Sequence, residues 1–186
     1  MYEMTARRRL LALLFSFTFL AGLAISASSA EAYTKHGAKW PRANISWTSS
    51  LTDARGYSYR AAASNAAHNW SSASDVNLVF LNQSPFVISK KAEGNNGFDG
   101  RAVWSYNSNK IMTKAEAYLN TSQTNAFGNN EKKLRAIYSH EIGHVLGLGH
   151  AASNAAIMYT CPACVYNTHG YYTPRADDIA GVNSIY

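Results

Sequence analysis

Between residues 43 and 50, Ile45 and Trp47 alternate with polar neighbours, the period-two pattern of a strand with one buried face. The period then lengthens. Tyr59, Ala63, Ala66, Ala67 and Trp70 share one helical face, and Asp53 stands ahead of them as a candidate cap. The many alanines in this stretch favour a helix. Residues 76–81 and 86–89 read as two further strands, and 93–100 (Glu-Gly-Asn-Asn-Gly-Phe-Asp-Gly) as a loop by its glycines and asparagines. Strands follow at 102–106 and 114–119 around a turn at 107–109. Asn129 or Asn130 then opens a helix over 131–146, with Leu134, Ile137, Ile142 and Val145 as its apolar stripe. Thr173-Pro174 starts a last helix that runs to about Tyr186, with Asp177 and Asp178 early in it, where the helix dipole favours acids. The order is that of an α+β domain built on one sheet with few helices.

Ahead of this pattern, Arg7-Arg8-Arg9 precedes a mostly apolar run from Leu10 to Ile25, and small residues lead to Ala30-Glu31-Ala32. These are the parts of a secretory signal peptide, so residues 1–32 read as a signal and 33–186 as one domain. Cleavage after Ala32 or after Ala30 fits. The run is shorter than about 20 apolar residues and carries Ser16, Thr18 and Gly22, which argues against a membrane anchor. The expected product is secreted, extracellular and monomeric, with no stable membrane association.

Composition changes this picture little. The chain has 186 residues, 47% hydrophobic and 15% charged, the balance of a globular chain. Of 17 basic and 11 acidic residues, three arginines and two glutamates fall in 1–32, leaving 14 against 9, or +5. No dense Lys/Arg run forms a patch, so no nucleic-acid partner is expected. Cys161 and Cys164 are the two cysteines, and an exported chain favours a disulfide between them.

The chemistry concentrates in His140-Glu-Ile-Gly-His144-Val-Leu-Gly147-Leu-Gly-His150. On a helix, residues four apart lie one turn apart on one face, so both His140 and His144 can reach one ion. Zinc accepts neutral imidazole nitrogen and keeps a position open in catalytic sites. Gly147 can take a positive φ, end the helix and let the chain bring His150 to the same ion. Glu141 sits about 100° round the helix from His140 and can reach a water on that ion without being a ligand. Two histidines at this spacing arise often by chance; the joint pattern arises by chance about once in 10⁴ to 10⁵ chains.

This motif, followed by Ala156-Ile-Met158-Tyr159, resembles the metzincin metallopeptidases, whose zinc lies above a methionine turn. The short interval to Met158, the Met-Tyr pair and the ending Ala176-Asp-Asp178-Ile-Ala-Gly181-Val-Asn-Ser-Ile-Tyr186 most resemble the matrixin branch. The resemblance implies a metzincin-like catalytic domain: a twisted mixed sheet over two main helices, with a C-terminal helix and a cleft between an upper and a smaller lower part. It also implies one catalytic Zn²⁺ held by His140, His144 and His150, Glu141 as general base, Met158 as the Met-turn, and protein or peptide substrates. An extended substrate would lie along an edge strand, for which 102–106 is the candidate. By the same resemblance, Ala136 sits near the floor of the pocket beside the zinc, leaving it deep. Cys161 and Cys164 would stiffen the wall after Met158. Tyr166, Tyr171 and Tyr172 are open between lining that pocket and packing in the core.

Where the chain departs from the branch, its expectations change. No cysteine precedes Cys161, so a blocking propeptide cysteine is not expected. His36 and His68 are too far apart in sequence to look like a second, structural zinc site. Ca²⁺ in the 93–99 loop is open, with two carboxylates in a Gly-rich turn. Tyr159 directly follows Met158 and reads as structural; His169 reads as a surface histidine. Two other functions stand beside the endopeptidase: a cell-wall peptide hydrolase, and a zinc-stabilised binding module without hydrolysis.

Overall fold

A computed structural model describes residues 33–53 and 57–186; the expected signal segment lies outside the described residues. In chain order the elements are β1 (Tyr33–Lys35), β2 (Asn44–Trp47), α1 (Tyr59–Ala73), β3 (Asn77–Phe80), β4 (Phe86–Lys91), β5 (Gly100–Tyr106) and β6 (Met112–Asn120). They continue with α2 (Thr121–Thr124), α3 (Glu131–Val145), β7 (Leu148–Ala151), α4 (Pro162–His169) and α5 (Ala176–Asn183).

The sheet is mixed, as expected. β4 runs parallel to β6 from Phe86↔Ala115 to Lys91↔Asn120, and β5 runs antiparallel to β6 from Gly100↔Leu119. β2 is parallel to β3, and Thr48 bridges this pair to β4 through Thr48 N to Phe86 O and Ile88 N to Thr48 O, both 2.9 Å. The resulting order is β3, β2, β4, β6, β5. Among the described residues β5 pairs with β6 alone, which makes it the sheet margin. The first strand is shorter than its pattern suggests because Thr48 leaves β3 to bond β4, and Ser49 Oγ then turns the chain by accepting Leu51 N.

One face of the sheet is alternately small and buried: Phe86 and Ile88 on β4, Ala115, Ala117 and Leu119 on β6. Side chains alternate between faces along a strand, so this spacing puts the set on one side, against the helices. Ala62, Ala63, Ala66 and Ala67 likewise let α1 come close to its neighbours. Asp53 does cap α1, from outside it: its Oδ1 accepts Arg60 N at 2.8 Å, while Ser58 occupies the N-cap position. Trp70, fully buried, donates Nε1–H to Ser139 O at 2.9 Å and so fixes α1 against α3. At the start of α3 the cap is Asn130, whose Oδ1 accepts Lys133 N, and Glu131 forks onto Arg135 at 2.9 and 2.7 Å.

Four elements lie beyond the sequence expectation, the short α2 (Thr121–Thr124) among them. β1 and β7 form a short antiparallel ladder between segments more than a hundred residues apart, and α4 occupies the stretch after Cys161 that reads as irregular. The last helix is shorter than expected. Arg175 is extended (φ −102°, ψ 171°) and serves as its N-cap, so Pro174 precedes the helix instead of opening it, and the helix ends at Asn183. Among the described residues no helix is long and apolar enough to cross a membrane.

Candidate metal centre and active site

α3 places His140 and His144 one turn apart, and Gly147 at φ 107° turns the chain into β7, which carries His150. The three rings converge. Their centroids stand 4.7 Å (140–144), 5.3 Å (140–150) and 4.9 Å (144–150) apart, and one nitrogen from each lies within 4.8 Å of the others.

The hydrogen bonds decide which nitrogens face inward. His140 Nδ1 lies 2.8 Å from Ile157 O, and His144 Nδ1 lies 2.8 Å from Leu148 O. A carbonyl only accepts, so both Nδ1 atoms carry the proton and both Nε2 atoms of the neutral rings present lone pairs. Those two Nε2 atoms face each other at 3.1 Å. Burial, then the neighbouring His144, holds the imidazolium form of His140 far out of reach. Burial likewise brings the pKa of His144 down to about 4. Two lone pairs aimed at each other in a dry site repel unless a cation joins them. Nitrogens on one tetrahedral zinc stand about 3.3 Å apart, given Zn–N bonds near 2.0–2.1 Å, so the donor set fits zinc.

Glu141 lies beside this cluster, 5% exposed, with burial raising its pKa to about 8; Arg101 lowers it and Asp99 raises it. A dication held by the histidines would draw it back toward the carboxylate. The carboxyl group rests against Gly100 at the start of β5. A Cβ built there would stand 2.9 Å from Glu141 Oε1, 2.9 Å from Ile137 Cγ2 and 2.8 Å from Tyr118 O. Only a residue without a side chain allows this approach.

Met158 is fully buried, and a Cβ on Gly143, one residue before His144, would collide with its sulfur. Its turn is held from below by Asp178, whose Oδ2 accepts Ile157 N at 2.9 Å and Arg175 N at 2.8 Å, and whose Oδ1 accepts Met158 N at 3.1 Å. Burial lifts the Asp178 carboxyl above its ordinary range. Met158 O in turn accepts Ala151 N at 2.9 Å, next to His150.

A cleft of about 410 Å³ opens over the cluster, walled by Gly97–Ala102 and Trp104 on one side and Thr160–Pro162 on the other. Cys161 and Cys164 are joined by a disulfide in that second wall. The strand expected to border the cleft does so as β5. Ala136 is fully buried and is not among the residues lining this cleft. Tyr166, Tyr171 and Tyr172 pack against the core rather than lining the cleft, as does Tyr159. His68 and His169 are exposed.

Several residues at this site escape a sequence reading. His36 stacks on Trp104 at 4.2 Å and its Nε2 donates to His144 O at 2.7 Å, tying β1 to the end of α3. Gly100, Gly143 and Asp178 serve through contacts 15 to 41 residues away or through a neighbouring helix, which periodicity does not reveal. Asp178 carried one signal, an acid early in a helix, but its bonds to the Met158 turn had none.

The matrixin family model (Peptidase_M10) matches residues 39–186. Human neutrophil collagenase is 27% identical over 167 residues, covering 80% of this chain and 33% of that protein. Human matrix metalloproteinase-20 is 32% identical over 72 residues, 38% of this chain and 14% of that protein. The chain spans a third or less of the length of these relatives. A chain in the solved structure described as the GM1-bound form of the ECX AB5 holotoxin shares the fold, with TM-score 0.59 and 14% identity over 83% of this chain and 88% of that one. With the family match running from Lys39 to the last residue and one nitrogen from each of three histidines gathered within 4.8 Å, the chain belongs to the matrixin family.

Proposed function

We propose that this protein is a secreted zinc-dependent endopeptidase. The observation that carries the reading is the convergence of three imidazole nitrogens and the Glu141 carboxyl in one cleft bordered by the open margin of β5. His140, His144 and His150 would hold the ion. When bound, zinc supplies the Lewis acid that acidifies a water and polarises a peptide carbonyl.

Glu141 supplies the proton chemistry. Buried next to the open side of the cluster, its carboxylate takes the proton of the attacking water and delivers it to the amide nitrogen that leaves. An extended peptide adds to the margin of β5 by main-chain hydrogen bonds, which give affinity with little regard for sequence. The half-buried Trp104 ring, braced by His36, and the exposed Phe98 offer side-chain contacts along that margin. The protein works as a monomer, with protein or peptide as its partner.

Hydrolysis of casein or gelatin by the purified protein tests this reading. Activity should vanish with a chelator and return with zinc. Glu141→Ala should abolish it while the ion stays bound. Zinc binding without hydrolysis in the unaltered protein would leave a binding module, and hydrolysis confined to peptidoglycan peptides would select a cell-wall enzyme.

A further inference from the structure

The rim of the cleft at 97–101 is the end of the 93–99 loop, and that loop is organised around one buried side chain. Asn120, 1% exposed at the end of β6, points its carboxamide into the loop. Its Nδ2 donates to Gly94 O at 2.8 Å, Asn96 Oδ1 at 3.2 Å and Phe98 O at 3.2 Å. Its Oδ1 accepts Glu93 N at 3.0 Å and Ser122 N at 3.2 Å, and its backbone N–H donates to Asp99 O at 2.8 Å. Every polar group of the residue that faces the loop is used. Three oxygens from three loop residues meeting at one point is how a loop wraps a cation, but cation–oxygen bonds for calcium run about 2.3–2.6 Å. The spacing here is that of N–H donors. Glu93 does not point at the hub; its carboxylate accepts Tyr118 OH at 2.7 Å.

The chain leaves this hub directly into Gly100, the residue on which the Glu141 carboxyl rests. We infer that Asn120 is a positioning residue for Glu141: its carboxamide fills the place of a cation in the 93–99 loop and, through Gly100, fixes where the Glu141 carboxyl sits. What Glu141 does there rests on the endopeptidase reading above. The arrangement makes rim order a property of the chain itself, independent of calcium. It also makes the two ends of the relay separately addressable. A side chain at position 100 pushes directly on Glu141, whereas loss of the carboxamide loosens the loop that delivers Gly100.

The test compares the full chain with Asn120→Ala, Asn120→Asp and Gly100→Ala. It reads kcat and KM on a fluorogenic peptide, zinc content, and the thermal unfolding midpoint with and without millimolar calcium. The unaltered protein should show the same midpoint and kcat in both conditions. Gly100→Ala should lose about 100-fold in kcat, the scale of an ångström-sized misplacement, with zinc content unchanged. Asn120→Ala should lose kcat in the same direction. Asn120→Asp puts a carboxylate opposite three oxygens, so it should be impaired without calcium and regain both midpoint and kcat with it. Wild-type kcat in Asn120→Ala, or in Asn120→Asp without calcium, would overturn the inference, as would calcium dependence of the unaltered protein. If the unaltered protein cleaves no peptide, the endopeptidase reading fails by itself. The calcium-dependent midpoint of Asn120→Asp then decides the hub: present in that variant alone, it supports the carboxamide; absent, it overturns it.

Discussion

On the proposed reading, Glu141 meets opposing demands: dry enough to act on one proton, and close enough to a cation to stay charged. Burial alone raises its pKa to about 8, so the metal-free site favours the protonated acid at neutral pH. Gly143 shows a second residue-scale constraint. Since a Cβ there meets the Met158 sulfur, Gly143→Ala should destabilise the protein by about 1–3 kcal/mol through overpacking, measurable by urea unfolding. His144 gives a pH signature in the metal-free protein. Unfolded, it takes its proton near pH 6.5; folded, it stays neutral down to about 4. Protonation therefore favours the unfolded state across that window, and stability present above pH 6.5 is lost as pH falls toward 4. Relative to His144→Ala, the metal-free parent should lose about 3 kcal/mol between those limits, since each tenfold difference in proton affinity between the two states is worth about 1.4 kcal/mol. A constant difference from pH 7 to 4 would contradict this. The three histidines and Glu141 were legible in the sequence because their geometry follows from helical spacing and one glycine. Gly100, His36 and Asn120 were not, because each acts on a residue 21 or more positions away, and nothing local marks such a partner.

At the scale of elements, α3 is the part that must not move, and α1 and the Met158 turn meet on it at Gly143. α1 holds it through the Trp70 bond to Ser139 O, and a Cβ on Gly143 would touch both the Trp70 ring and the Met158 sulfur. Trp70→Ala would open a cavity under the ligand-bearing turns and leave that carbonyl without its donor. A loss of about 3–5 kcal/mol is expected from thermal or urea unfolding. Zinc affinity should weaken in the same variant, as α3 loses its register. The long, strongly periodic elements α1, α3 and the three central strands could be read from the chain because their burial patterns repeat over many residues. β1, β7 and α4 could not. The two strands are three and four residues long and pair across more than a hundred residues of chain, while α4 is a short helix opened by Cys161-Pro162.

For the molecule as a whole, the fold brings three distant segments to one point. β5 at the sheet margin, α3 with His140, His144 and Glu141, and the Gly147 turn with His150 meet there; on the proposed reading they are the substrate edge, the base with two ligands, and the third ligand. The disulfide and α4 set the opposite wall. None of these pieces forms a site alone, so function and folding are joined at the ion. Bound zinc should stabilise the protein strongly, because ligand binding to the folded state adds directly to its stability. The measurement that tests the central claim most directly is a zinc titration of metal-stripped protein, following casein hydrolysis and bound zinc in the same samples. Hydrolysis should rise with zinc and saturate at one ion per chain. Glu141→Gln should bind the same single ion with activity lower by about 10²- to 10⁴-fold. Hydrolysis that persists without zinc, or survives Glu141→Gln at full zinc occupancy, would contradict the account.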